Sequence, residues 1–376
     1  MIERTISKNI QKYRDEGKAM IILGARQVGK TTLLNKLVGD EPGVLFLNGD
    51  EPDIKELLSG VTSTQLKLLF ANKHTVVIDE AQMIHNIGIT LKLITDNLKD
   101  IRLFVSGSSS IELANTINEP LTGRKYEYQL FPLSFQEMVD HHGLLEEKRK
   151  LTHRLVFGYY PEIVTSPGNE IQLLKNLAGS YLYKDILSFG LIKRPIILDK
   201  LLKALALQVG SEVSFSELGQ LIGADKETIE RYVDLLEKAF IIFRLNALSR
   251  NVRNEIKKGK KFYFYDNGIR NALTGNFLPW KNRTDKGASW ENFIISERIK
   301  HLIYNEFYGN YYFWRTTQQQ EIDFIEEIDG RFSAFEFKVN PHKKARLPLT
   351  FSKAYPVSSF QSVSPASAEK ILLAYD

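Results

Sequence analysis

Two α/β regions with a helical stretch between them are what this sequence predicts: the first built on a parallel sheet, the second smaller and C-terminal. Three observations predict it. Over the first 140 residues, short apolar runs alternate with helical patterns, the rhythm of a parallel sheet covered by helices. Residues 145–208 are mostly helical in pattern, punctuated by Pro161, Pro167 and Pro195. Near the C-terminus, Asp329-Gly330 separates two alternating runs, a strong hairpin signal.

Each element has a local reason. Ala19–Leu23 (AMIIL) reads as a buried strand, followed by a glycine-bearing loop and a helical stretch from Thr31 to Val38. VLFLN (44–48), TVVID (75–79) and RLFVS (102–106) read as further strands, and Leu130–Met138 as the exit from this domain. Ser214 and Glu217 form a capping box opening one short helix, Gly223 ends it, and Asp225 caps the next. A strand at Ile241–Leu245, a polar loop and the strand KFYFYD complete a winged-helix pattern. From Trp290 the order is helix, strand YYFWR (311–315), strand EIDFIEE, turn, and strand FSAFEFKV. The expected domains are 1–140, a helical connector 141–195, a winged-helix-like region 196–266 and a last α/β domain 267–376.

Composition bounds the function classes. With 376 residues, 43% hydrophobic and 25% charged, the chain is globular, and disordered or fibrous classes are excluded. No apolar run approaches the ~18 residues of a membrane span. The N-terminal MIERTISKNIQKYRDEGK has no apolar core of a signal peptide. Absence of cysteine excludes disulfides, thiolate zinc sites and cysteine nucleophiles, and a cytoplasmic location is expected. Residues 1–140 carry a net charge of −2 and residues 141–376 a net of +7, so an anionic partner is permitted for the second part.

Gly24-Ala25-Arg26-Gln27-Val28-Gly29-Lys30-Thr31 fits G-x-x-x-x-G-K-[ST], with a strand before it and a helix after it. Glycines let such a loop wrap phosphates, with its N–H groups and the helix N-terminus behind them. Lys30 reaches the β/γ-phosphates, the Thr31 hydroxyl ligates Mg²⁺, and the nucleotide-binding stretch is expected to run on from the loop to Thr32. The run Thr75–Ile78 ends in Asp79-Glu80: Asp79 holds Mg²⁺ and Glu80 takes a proton from the attacking water. ATP and Mg²⁺ are the expected cofactors of a P-loop NTPase sheet. The strand ending Ser106-Gly107-Ser108-Ser109 should lie beside the nucleotide strand, Ser108 offering a hydroxyl to the γ-phosphate or serving only as a polar turn. Arg124 is either a residue stabilising transition-state charge, in its own subunit or a neighbour's, or an ion-paired surface arginine. Gln82 and Asp50 read as no more than caps.

GARQVGKTTLL, VVIDEAQ, FVSGSSS, LTGR and LFPLSFQEM, in this order, resemble a family of bacterial and archaeal AAA-type ATPases with a C-terminal domain of uncharacterised function. GYYPEIV, YLYKDIL, FYFYDNGIRNAL and the closing FEFK extend the likeness over nearly the whole chain. The resemblance implies an ASCE-type P-loop core with Glu80 as the catalytic glutamate. It supports the roles of Lys30, Thr31, Asp79 and Glu80 position by position, and to a lesser degree that of Arg124 in LTGR.

Residues 250–261 hold six basic residues against one acid and offer contacts to DNA phosphates, or form a solvated hairpin tip. The candidate recognition helix 225–238 has five acids against three bases, so base reading by that helix is not expected. In the last domain, Asp323 precedes the hairpin and Glu336-Phe337-Lys338 follows it, an acid–hairpin–E-x-K order similar to the restriction-endonuclease-like core. Asp323 and Glu336 are candidate ligands for a divalent cation, with Lys338 near the water and Glu291 as an extra acid on the preceding helix. An inactive fold, or a simple cross-strand ion pair, is the alternative. Two function classes follow. One is an ATPase coupled to nucleic-acid binding or cleavage; the other is a nucleotide-switched protein-interaction module on a nuclease-like scaffold, as a monomer or homo-oligomer, with no membrane partner.

Overall fold

The computed structural model of the chain describes residues 1–39, 41–107, 120–181, 192, 194–249, 259–343 and 345–373. The chain divides into two compact units, the first formed chiefly by Met1–Leu133 and the second by Ser134–Ser180, Ile192–Glu237 and Ile241–Asp376. The division falls at 133/134, a few residues before the expected boundary at 140.

The first unit is a five-stranded parallel sheet. Its elements run α1 (Ile6–Tyr13), β1 (Ala19–Leu23), α2 (Lys30–Val38), β2 (Val44–Asn48), α3 (Pro52–Leu58), α4 (Ser63–Leu69), β3 (Thr75–Asp79), α5 (Ile87–Asn97), β4 (Arg102–Gly107) and β5 (Lys125–Gln129). The strand order is β2-β3-β4-β1-β5. Every residue of β1 and β3 is buried, which is why both read as unbroken apolar runs. β4 lies between them, pairing Met20 with Phe104 and Val77 with Phe104. β5, not foreseen from sequence, adds to the far side of β1 in register Ala19↔Lys125 to Leu23↔Gln129. Its KYEYQ alternates polar and aromatic residues as a half-exposed edge strand does.

The second unit opens with a capping box, Ser134 and Glu137 each bonding the other's backbone N–H, at the start of α6 (Phe135–His142). α7 (Leu144–Phe157), α8 (Pro161–Thr165), α9 (Glu170–Asn176) and α10 (Pro195–Leu207) follow. Then come β6 (Glu212–Val213), α11 (Phe215–Ile222), α12 (Lys226–Lys238), β7 (Ile242–Asn246) and β8 (Lys260–Phe264). These strands form an antiparallel sheet in the order β6-β8-β7. The Ser214 hydroxyl accepts from Glu217 N–H, Gly223 ends α11 in the left-handed conformation, and Asp225 accepts from Thr228 N–H at 2.7 Å.

α13 (Asn267–Thr274) and α14 (Lys286–Tyr304) lead to a second, mixed sheet. It comprises β9 (Asn310–Arg315), β10 (Glu321–Ile328), β11 (Arg331–Phe337) and β12 (Val357–Val363), with α15 (Leu349–Ala354) before β12 and α16 (Glu369–Leu372) after it. The order is β12-β11-β10-β9, antiparallel except for β11 with β12. Asp329 (φ 49°) and Gly330 (φ 73°) make the hairpin turn that their pairing predicts. Leu248, Trp314, Ile322, Ile325, Phe332 and Phe351 are among the residues of one core there.

Two family-like segments, GYYPEIV and FYFYDNGIRNAL, meet inside this unit. Asp266 accepts from Tyr159 N–H at 2.6 Å and caps α13 through Ile269 N–H at 3.1 Å. A Cβ on Gly158 would lie 2.1 Å from the Asp266 carboxylate, and one on Gly268 2.2 Å from the Phe157 carbonyl. Close packing accounts for Gly158, Asp266 and Gly268 in these segments.

Candidate functional site

The loop after β1 turns at two unusual backbone positions, Gln27 (φ 62°) and Gly29 (φ 96°), before α2 begins at Lys30. Gly29 meets the ordinary reason for glycine, a left-handed helix entry. Gly24 has another: a Cβ there would sit 2.2 Å from the Leu130 carbonyl oxygen, where the chain leaving β5 crosses the loop. Arg4, buried, holds the same place together, donating to the Val28 carbonyl at 2.7 Å and the Phe131 carbonyl at 2.6 Å. Nothing local in the sequence marked Arg4. The Lys30 ammonium is buried and donates to the carbonyls of Gly24 and Ala25, each at 3.0 Å.

All strands of this sheet are parallel, so their carboxyl ends gather at one edge, the usual ligand edge of open α/β sheets. The P-loop after β1, Asp79 at the end of β3 and Ser106 near the end of β4 therefore converge. Thr31 Oγ1 donates to Asp79 Oδ2 at 2.6 Å. The Ser106 hydroxyl donates to Asp79 Oδ1, and the Glu80 N–H is 3.1 Å from that same oxygen. Glu80 adopts a left-handed conformation (φ 49°), and its carboxylate accepts from Gln82 Nε2 at 2.5 Å. Gln82, read from sequence as a cap, thus orients the candidate base. The Ser106 hydroxyl at the end of β4 meets Asp79; Ser108 and Ser109 lie outside the described residues.

Arg124 is not brought to this edge. It precedes β5, its carbonyl accepts from Ala19 N–H at 2.9 Å, and it therefore stands at the amino end of the sheet. The length of β1, about 16 Å at ~3.3 Å per residue, separates it from its own P-loop. Its guanidinium donates to Asp96 at 2.6 Å, and this bond chiefly lowers the Asp96 pKa. Of the alternatives read from sequence, this placement agrees with an ion-paired surface arginine at the amino edge.

In the second unit a separate cluster of charge forms. Phe324 pairs with Phe335, so Asp323, one step along, stands opposite Glu336. The β9–β10 register slips between Ile322 and Ile325, a bulge that re-aims Asp323. Asp323 Oδ2 accepts from Phe337 N–H at 2.7 Å, and Lys338 Nζ donates to Glu336 at 2.7 Å. Burial first, then the Asp323 charge, push Glu336 up to about 7 against the pull of Lys338. Glu291, from α14, is likewise pushed by burial up to about 7, with Lys261 opposing.

Lys261 and Tyr263 were not foreseen here. They share one face of β8, and Lys261 donates to Glu321 at 2.5 Å and to Glu291 at 3.4 Å, while Tyr263 OH donates to Glu291 at 2.7 Å. Burial pulls Lys261 down, but Glu291, Glu321 and Asp323 outweigh it and raise its pKa. Glu326, on the same strand, is held by Arg298 at 2.6 and 2.9 Å. Among the described residues no group of three or more His, Asp or Glu is disposed to hold a metal ion. Of the basic run 250–261, residues 250–258 lie outside the described residues.

Comparison with known proteins agrees with the first unit. Residues 16–139 match the family described as AAA domain, residues 148–279 match a domain of unknown function (DUF8612), and residues 286–370 match another (DUF4143). An uncharacterised protein of Mycobacterium tuberculosis is 26% identical over 341 residues, 89% of this chain and 73% of that protein. One from Haemophilus influenzae is 25% identical over 372 residues, covering 89% and 87%, and one from Methanocaldococcus jannaschii is 23% identical over 345, covering 86% and 75%. Among solved structures, the Walker-type ATPase of Pyrococcus abyssi is 14% identical with a TM-score of 0.49, covering 73% of this chain and 96% of that one. No helix among the described residues is long and apolar enough to cross a membrane.

Proposed function

From the AAA-type ATPase domain at residues 16–139, we propose that the chain hydrolyses ATP with Mg²⁺ through Glu80 and couples turnover to nucleic-acid binding by its second unit. The arrangement around Asp79 carries the reading. Hydroxyls of Thr31 and Ser106 converge on one carboxylate while Gln82 holds the neighbouring Glu80. Thr31 and Asp79 are oxygen donors of the kind a hard cation takes, so these residues fit Mg²⁺, which would supply positive charge beside the phosphates. Lys30 exchanges the Gly24 and Ala25 carbonyls for the β/γ-phosphates. Glu80 accepts the proton of the attacking water, and the Gln82 amide fixes its carboxylate for that transfer.

For the second unit, the order α10, β6, α11, α12, β7, β8 is that of a winged helix, and Asp323, Glu336 and Lys338 with Glu291 resemble a restriction-endonuclease-like core. The net charge of +7 over residues 141–376 favours a polyanion. Because α12 is acidic, contact runs through phosphates, not base edges. The test is ATPase rate with and without duplex DNA, alongside DNA affinity titrated with salt. Affinity should fall steeply as salt rises, and DNA should stimulate turnover. Turnover with neither binding nor stimulation would instead favour the nucleotide-switched protein-interaction module. One observation leans that way: Arg244 is committed to Glu237, at 2.9 Å from its Nε, and to Asp234, at 2.6 Å, and so offers no charge to a phosphate.

A further inference from the structure

We infer that Lys261 is the resident counter-cation of the Glu291–Glu321–Asp323 carboxylate cluster, beside the Glu336–Lys338 pair, holding the place a divalent metal ion would need, so that the cluster takes metal only when Lys261 is removed. This stands apart from the ATPase reading, since every residue involved belongs to the second unit.

Lys261 is 1% exposed, and an ammonium that deep is tolerated only with anionic partners. It has them: Glu321 at 2.5 Å and Glu291 at 3.4 Å, with Asp323 close enough to add to the attraction. The carboxylates here also accept hydrogen bonds from their neighbours, but what opposes a metal ion is the lysine charge already among them. Glu291 Oε1 accepts from both Lys261 and Tyr263, Asp323 Oδ2 from the Phe337 N–H, and Glu336 Oε2 from Lys338. A metal ion therefore has to displace a salt-bridged lysine before it meets two free carboxylates, and the residues as they stand do not fit one.

The lysine reaches the cluster from a different sheet. β8 pairs with β6 and β7, whereas Asp323 and Glu336 lie on β10 and β11. The two sheets are also joined where Leu248 N–H donates to the Phe313 carbonyl at 2.7 Å. Lys261 and Tyr263 project from one face of β8 onto the same glutamate, so the contact is repeated along the strand and is not a single stray ion pair. Neutralisation by a lysine also removes the like-charge cost that would otherwise draw in a cation.

Mn²⁺ is the probe, and the full-length chain with Lys30→Ala, which disables the nucleotide site, is the background. Mn²⁺ binding by electron paramagnetic resonance and thermal melts at millimolar Mn²⁺ are the readouts. With Lys261 present, no Mn²⁺ should bind at the cluster and the melting temperature should not move. With Lys261→Met added, the metal-free chain should melt lower, Mn²⁺ should restore stability, and one ion should bind. Asp323→Asn in that variant should abolish both gains, while Lys261→Arg should behave like the lysine. Mn²⁺ bound with Lys261 in place, and lost with Asp323→Asn, overturns the inference. So does a folded Lys261→Met chain that ignores Mn²⁺. If Lys261→Met fails to fold, the binding measurement on the Lys261-bearing chain still decides, one Asp323-dependent ion refuting it and none supporting it.

Discussion

Gly24→Ala puts the closest contact in the nucleotide site to the test. The added Cβ would lie 2.2 Å from the Leu130 oxygen, 3.1 Å from its carbonyl carbon and 3.2 Å from Val28 Cγ2. The obstacle is backbone, so no side chain can swing aside. Loop and β5 exit must part by roughly 1 Å, and a displacement of that size at a catalytic site costs about a hundredfold in rate. The Leu130 N–H bond to the Leu23 carbonyl, 2.7 Å long, stretches with it. Losing it costs about 1 kcal/mol, and overpacking strain adds roughly 1–3 kcal/mol. At about 2–4 °C per kcal/mol for a unit of this size, the melting transition of the first unit should fall by several degrees. Gly17→Ala is the control: its φ of +69° gives backbone strain, but nothing lies within 4 Å. Calorimetry and steady-state ATP turnover measure both effects. A Gly24→Ala chain that melts and turns over like the Gly17→Ala chain would refute the crossing of Leu130 as the reason for this glycine.

Glu80→Gln should retain ATP binding and lose turnover by about 10²-fold or more, because an amide cannot accept the water's proton; a rate near wild type excludes Glu80 as base. Gln82→Ala should lower kcat with little change in ATP affinity, since it frees the Glu80 carboxylate without touching the phosphate loop; an equal loss of affinity would place Gln82 elsewhere in the mechanism. Arg124→Ala should leave turnover within about threefold, as a surface pair with Asp96 contributes only ~0–1 kcal/mol; a large drop, rescued by mixing with Lys30→Ala chains, would show action on a neighbouring subunit. His301 is held down to about 4 from 6.5 by burial and then by Arg298. Its neutral form is favoured in the fold, so its contribution is intact above pH 6.5 and is lost as pH falls toward 4. His301→Asn should gain stability relative to wild type across that window, and parallel pH–melting curves would contradict the assignment.

What the sequence determined alone was whatever local pattern can encode. Strands buried on both faces, β1, β3 and β4, show as continuous apolar runs, and the P-loop, Asp79-Glu80 and the Asp329-Gly330 turn show as contiguous chemistry. The half-exposed edge strands β5 and β12 leave no such run, because only part of each strand meets the core. Tertiary structure decided the reasons and the partners. Gly24 answers to Leu130 and Arg4 to Phe131, contacts more than a hundred positions apart in sequence that leave no local trace. Arg124 sits beside a glycine-marked turn that looked catalytic, yet strand direction sends it to the amino edge. Lys261 sits in a basic run that reads as solvated, and only the packing of β8 against Glu291 and Glu321 turns that charge inward. A charge's role depends on what faces it across space, and spacing along a chain does not carry that information.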